Sequence, residues 1–406
     1  MNTSAMRQRA SVALLIALVA LVAACGERPE VKRQNAFARG EEYFKERKYN
    51  EAIIEYQNAL QIDKEFVPAL HALGRVYART FWFLDASREL GRAHRIAPDS
   101  IDIAVDYGRS LVEVGDWEEA DALAAAILAR EPQNPHGFYI RAGALLGRAK
   151  AEEALTILDA LQGSGALPEV EPARAEALFN LGRSEQAEQV LRNALAKDPG
   201  DARSLAGLGA IHLARKNYQE ATRLYDEAKE LRPDDPRIRL GLAASKARLG
   251  KVEEAIGELE QVPPRARTAV LVSALGIFYM EANRPSDAVQ LLAPVVTQLP
   301  RLTQARFLLG LAYLSSNQPD QAFAQFEELE RQIPNEPVVQ LRLAQTESQL
   351  GRPKDALARL EPVAKALAEK PEYHLERSRC FAMLGRLDEA TKAAEAAQRL
   401  IPNSPQ

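Results

Sequence analysis

An alanine returns at positions 52, 86, 120, 154, 187, 221, 255, 288, 322, 356 and 390, every 33 or 34 residues without a gap. A polar turn and an acidic or amide residue precede it, as in Lys48-Tyr49-Asn50-Glu51-Ala52 and Asp116-Trp117-Glu118-Glu119-Ala120. A period of this length held through eleven units constrains the chain to a stack of small identical modules. No such module buries its apolar faces alone, so stability comes from neighbours.

Three other positions keep step with the alanine. Twelve residues before it stand Gly40, Gly74, Gly108, Ala142, Ala175, Gly209, Ala243, Gly276, Gly310, Ala344 and Ser378, all small, which predicts two helices in close approach. Five residues before it, Gly115, Gly182, Gly250, Gly351 and Gly385 supply the left-handed residue that ends a helix. Arg47, Phe81, Ala149, Lys216, Asn283 and Asn317 hold that place in the other six units. Twelve residues after it, Pro98, Pro132, Pro199, Pro233, Pro300, Pro334 and Pro402 stop a second helix, since proline has no amide and clashes with the preceding turn. Apolar residues such as Ala52, Ile53, Tyr56, Ala59 and Leu60 follow a helical period. Each unit is therefore a helix hairpin and the fold class is all-α.

A 34-residue hairpin with small, Tyr, Ala and Pro marks at these offsets resembles the tetratricopeptide repeat. Eleven units from about residue 33 to residue 404 cover nearly all of the chain beyond its N-terminal segment. The resemblance implies a solenoid wound as a right-handed superhelix, with the first helices on its concave side.

Composition and motif content narrow the function. With 52 basic against 56 acidic residues and a net charge of -4, no broad basic field exists to hold a phosphate backbone, so nucleic acid is not an expected partner. Cys25 and Cys380 cannot build a four-cysteine zinc site, and His71, His94, His136, His212 and His374 fall on separate units, so no metal is expected. Nucleophile elbows, phosphate-cradling glycine loops and His-Glu-x-x-His pairs are absent from the sequence after the leader. Carboxylates such as Glu118, Glu119, Glu152, Glu153, Glu253 and Glu254 stand where acids favour a helix N-terminus. Cys380, beside Phe381, reads as a small buried hydrophobe. Neither enzyme activity nor a cofactor is expected.

The N-terminus sets the expected compartment. Arg7 and Arg9 precede an apolar run from Ala10 to Ala24 that is short for a membrane span and ends in small residues, the layout of an export signal. Val22-Ala23-Ala24-Cys25-Gly26 resembles the bacterial lipoprotein box, which implies removal of residues 1–24 and lipidation of Cys25. An ordinary signal peptide or uncleaved anchor that happens to end in Cys is the alternative. Gly26, not being Asp, implies release to an outer membrane, with residues 25–32 as a tether and the array facing the periplasm. Long arrays behind such a box resemble repeat lipoproteins of polysaccharide or protein export systems, including those associated with sorting of PEP C-terminal signal proteins.

Two irregularities are expected to shape the stack. Gly163-Ser164-Gly165 followed by Pro168 and Pro172 marks either a hinge near residues 163–171 or an ordinary longer loop. Pro294 and Pro362 fall inside second helices and should kink them.

Function is then expected on the surface. Residues 18, 15, 11 and 8 before each alanine should face inward. In units eight to ten these are Val270, Ser273, Ile277, Met280, Gln304, Phe307, Leu311 and Leu314, continued by Val338 and Leu341, an apolar groove for a helix or extended peptide. The alternative is that they pack on neighbouring helices. Near the other end His71, Arg75, Arg79 and Arg109 form a cationic entrance, and Phe81 and Trp82 an exposed aromatic turn suited to a partner, a lipid interface or local packing. The expected role is a membrane-anchored scaffold for other envelope proteins or peptides, with a periplasmic chaperone or assembly factor as the alternative.

Overall fold

The computed structural model describes residues 28–161 and 167–401. Cys25 with the expected leader, residues 163–166 of the expected hinge, and Pro402 lie outside the described residues. Among the described residues the regular structure is 23 α-helices and one short 3₁₀ turn, with no strand. Eleven hairpins follow one another, from Pro29–Lys45 with Tyr49–Ile62 to Pro371–Met383 with Leu387–Leu400. The first helix starts at Pro29, earlier than residue 33. The chain divides into two compact bodies, Met1–Ile211 and His212–Gln406.

The repeat marks correspond to specific contacts. Ten of the alanines that set the period have no exposed surface, and Ala390 in the last unit has 8%. A methyl group on Gly40 would stand 2.5 Å from Tyr56, and one on Gly310 would stand 2.6 Å from Phe326. Tyr56 and Phe326 each lie four residues after the alanine of their unit. In these units the small residue is thus the seat for a large one on the second helix, and burying such a ring contributes about 2 to 3 kcal/mol. In the last unit Ser378 fills the same place and donates from Oγ to the backbone oxygen of Ala390 at 2.8 Å.

The turn between the two helices is left-handed in all eleven units, with φ between 55° and 89° at the residue five before the alanine. Five glycines adopt it freely, whereas Arg47, Phe81, Ala149, Lys216, Asn283 and Asn317 adopt it against the cost of their Cβ, about 1 kcal/mol each. A backbone bond repays part of that cost. The amide of the following residue reaches back five positions, as in Trp82 to Tyr77 at 2.8 Å and Asn217 to His212 at 2.9 Å. The turn is therefore imposed by hairpin geometry, and glycine only eases it.

Second helices end where proline is near: Ile96, Arg130, Lys197, Leu231, Gln298 and Gln332 each lie two residues before one. The two internal prolines behave differently. Pro362 breaks its helix after Leu360, and a short helix resumes at Ala364–Leu367. Pro294 sits inside the unbroken helix Pro285–Gln298, where it and Gln290 are exposed, so water can satisfy the freed carbonyl. A break not expected from sequence follows Glu260, where Pro263-Pro264 replaces the last turns of the seventh second helix with the 3₁₀ turn Pro264–Ala266. At the far end of the expected hinge Val170 is buried, and Glu169 is held by Arg109 at 2.9 Å and Arg203 at 3.5 Å.

Two ionic clusters join neighbouring hairpins at the same four repeat positions with opposite sign. In the seventh unit the buried Glu258 receives Lys246 at 2.9 Å, Lys229 of the sixth unit at 3.1 Å and Arg239 at 3.1 Å. In the tenth, Arg359 takes the place of Glu258. It donates to Glu347 at 2.7 Å, to Glu330 of the ninth unit at 3.1 Å and to Gln340 at 3.2 Å. Burial alone would push the Glu258 carboxyl up, but the bonds from Lys246 and Lys229 outweigh it and hold the group below the usual carboxylate range.

Two stability predictions follow from these contacts. Lys216→Gly should raise unfolding free energy by about 0.5 to 1 kcal/mol by relieving the left-handed strain, and Gly250→Ala, with open space around it, should lower it by about 1 kcal/mol. Urea midpoints read both. Glu258→Gln should cost about 3 kcal/mol at pH 7, because three cations lose their anion. A depressed folded pKa gives stability that is present above the unfolded value of about 4.3 and is lost as pH falls through the folded one. The gap between wild type and Glu258→Gln should therefore narrow below about pH 4.

Candidate interaction surface

First helices of neighbouring units contact one another from Pro29–Lys45 through Val170–Asn180 in one body, and from Pro236–Arg248 through Thr303–Ser315 in the other, where Pro337–Gln349 meets Pro371–Met383. In the body Met1–Ile211 the first-helix face is not a free cationic entrance. His71 Nε2 lies 2.7 Å from Asp106 Oδ2, and Arg75 Nε lies 4.0 Å from the same oxygen. Arg75 also stands 5.5 Å above the Phe44 ring. Arg109 donates to Glu169 at 2.9 Å and covers the Tyr139 ring at 5.2 Å. Burial would raise the Glu169 carboxyl, but Arg109 and Arg203 hold it below its ordinary range. Arg75 and Arg79 are exposed, whereas His71 and Arg109 are half-buried. The expectation counted the cations at their offsets and missed the acids beside them; Asp106, fourteen residues before its alanine, was the omitted column.

The apolar stripe of the second body is graded. Val270 is 65% exposed and Val338 40% exposed, while Ile277, Met280, Phe307, Leu311 and Leu314 are half-buried. Phe307 meets Phe326 edge-on with ring centroids 5.8 Å apart, and with Leu311 and Leu314 it leans on the core of Ala322, Phe326, Leu329, Val339 and Leu343. Leu341, only 4% exposed, leaves the stripe altogether: it packs with Ala344, Ala356 and Leu360 as core. The groove is thus a shallow apolar surface whose floor doubles as inter-helix packing.

The aromatic turn is not exposed either. Phe81 and Trp82 are half-buried; Trp82 stacks on Tyr77 at 5.5 Å, and Phe81 meets Phe83 edge-on at 5.9 Å. Local packing is the reading these contacts support. The turn also lies at the far end of its hairpin from the N-terminus of the helix Val67–Arg79, about 20 Å along 13 residues.

The other groups singled out from sequence have structural roles. Glu118, Glu119, Glu152, Glu153, Glu253 and Glu254 occupy first turns of second helices. Cys380 is fully buried and its thiol donates to Glu376 at 3.5 Å; burial, with that carboxylate beside it, pushes the thiol up to about 12. Among the described residues no three His, Cys, Asp or Glu side chains converge as metal ligands, and no helix is long and apolar enough to cross a membrane.

Hairpins stacked through small-residue contacts define a helical repeat array, and comparison identifies its kind. Models of the tetratricopeptide repeat match residues 83–143, 173–236, 212–275, 279–346 and 341–405, and a further TPR repeat model matches residues 40–80. The chain belongs to the tetratricopeptide repeat family, a family of protein-interaction scaffolds. It is 25% identical over 236 residues to superkiller complex protein 3 of Mus musculus, covering 55% of this chain and 15% of that protein. It is 24% identical over 222 residues to TPR repeat-containing protein YpiA of Bacillus subtilis, covering 54% of this chain and 52% of that one. The chain thus spans about half or less of these relatives. Among solved structures it is similar to the APC/C hetero-tetramer Cut9-Hcn1, with TM-score 0.49 and 12% identity, over 95% of this chain and 96% of that one. A tetratricopeptide repeat protein from Parabacteroides merdae aligns with TM-score 0.39 and 22% identity, over 61% of this chain and 98% of that one.

The graded burial separates two kinds of substitution. Phe307→Ser should lower stability by about 2 kcal/mol, since it removes a ring that rests on Phe326. Val270→Glu should leave the unfolding midpoint within about 0.5 kcal/mol, because the side chain faces water. Calorimetry of the two variants checks the assignment of floor and rim.

Proposed function

We propose that this chain is a lipid-anchored scaffold of the bacterial cell envelope, serving an export or assembly system. The observation that carries the reading is that the described residues are hairpins from Pro29 to Leu400, with no catalytic constellation, so their chemistry is that of a binding face. The anchoring rests on Val22-Ala23-Ala24-Cys25-Gly26, three residues of chain before the first helix. Acylation at Cys25 buries many methylenes at about 0.8 kcal/mol each, which makes attachment effectively permanent. Gly26 supports the outer membrane as destination, with the array in the periplasm, and the lipobox ahead of an unbroken array supports kinship with repeat lipoproteins of polysaccharide or protein export, including the PEP C-terminal type. The partner, an envelope protein or peptide, uses the first-helix face around Val270, Ile277, Met280 and Val338.

Two measurements decide this. Intact-mass analysis should show an acylated Cys25 as the first residue, and Cys25→Ser should move the protein from the membrane to the soluble fraction; retention in the membrane without acyl mass would sink the anchor. A photo-crosslinker at position 270 in intact cells should capture one saturable partner. Broad capture of many unfolded proteins would instead support a periplasmic chaperone.

A further inference from the structure

The charged position fourteen residues before the alanine has two contrasting occupants. In the third unit it is Asp106, which reaches back across the first-helix face to His71 and Arg75, residues 35 and 31 positions earlier. In the tenth unit it is Arg342, and the residues at those same two distances are Phe307 and Leu311 of the apolar stripe. The tenth unit thus has apolar residues at the two repeat positions from which the third unit supplies charged partners to Asp106.

Its bonding shows the consequence. Arg342 donates from one terminal nitrogen to Gln345 at 2.8 Å, its Nε is buried with no acceptor, and no carboxylate stands within ion-pair distance. Burial pushes the guanidinium below its ordinary range, and only Glu372, an exposed residue of the next unit, acts the other way. Arg239 and Arg359, also part-buried in this body, each hold a carboxylate, whereas Arg306 bonds to Gln325 and the Pro300 carbonyl. A half-desolvated cation with an amide partner but no counter-ion costs free energy that an incoming carboxylate offsets. Val338, Arg342 and Gln345, at spacings of four and three, share one side of the helix Pro337–Gln349, so the cation borders the exposed rim of the stripe. Arg379, also exposed, stands one repeat beyond Gln345 on the same face.

We infer that the first-helix face of units eight to ten receives an apolar peptide segment bearing one carboxylate side chain, seated on Arg342 while its apolar side chains cover Val270, Ile277 and Met280. The inference rests on the proposed use of that face and adds the chemistry of what it takes. A segment without an acid would leave the guanidinium buried more deeply and still unpaired, so the same group that attracts an acidic segment rejects a neutral or basic one.

The test uses the full chain and an array of twelve-residue Leu- and Phe-containing peptides, each made with Glu, Gln or Lys at every position in turn. The expected result is that bound peptides need Glu at one register, with at least a fivefold loss on Glu→Gln by fluorescence anisotropy. Arg342→Met should abolish that difference and leave the unfolding midpoint equal or higher. Equal binding of Glu and Gln forms, selectivity that persists in Arg342→Met, or a lowered midpoint in that variant would overturn the inference. If Glu and Gln forms bind equally and Val270→Glu abolishes both, the face is a docking site and only the carboxylate is wrong. If no peptide binds, the face and the inference fall together.

Discussion

The close approach of a glycine backbone on the first helix to a large side chain four residues past the alanine, as at Gly40, Gly74 and Gly310, governs how these hairpins close. It fixes the separation of the two helices in a unit, and a fixed separation repeated along the chain lets each hairpin present the same face to the next. Gly40 against Tyr56 and Gly310 against Phe326 are one joint made 270 residues apart. The left-handed turn follows from that joint: once the helices are held together, the chain between them has one way round, and six units take it with a Cβ in place.

Apolar contact in such a stack is nearly the same from unit to unit and so says little about which unit belongs where. The ionic clusters supply that information. A buried anion ringed by cations in the seventh unit and a buried cation ringed by acids and an amide in the tenth occupy equivalent places. Each satisfies its charge only with its own neighbours. Buried ion pairs contribute little net stability, but a mismatched one is expensive, so these clusters act on pairing more than on strength.

Much of the fold was legible because each repeat mark has one local cause: small residues for close approach, proline for a stop, an acid for a helix start. The functional face was less so. Reading it as four columns of inward residues found Val270 and Val338 but wrongly kept Leu341, which one residue of rotation turns into the core. It made His71, Arg75 and Arg109 a cationic entrance because the acids beside them come from other units, Asp106 from a column left out and Glu169 from a unit two further on. Phe81 and Trp82 looked exposed because turns usually are; the left-handed φ at Phe81 folds both rings back onto the hairpin. Sequence offsets place a residue on a helix, but its covering depends on which charges its neighbours bring.

The sign inversion between the two clusters bears on how such an array can be rebuilt. Hairpins of one repeat length invite shuffling, since they share a spacing of 33 or 34 residues. A copy of the tenth hairpin spliced behind the sixth, however, would set the Arg359 guanidinium against the Lys229 ammonium, and a copy of the seventh behind the ninth would set Glu258 against Glu330. The order of bricks at those two joints is thus written in charge, and electrostatic repulsion would penalise either exchange.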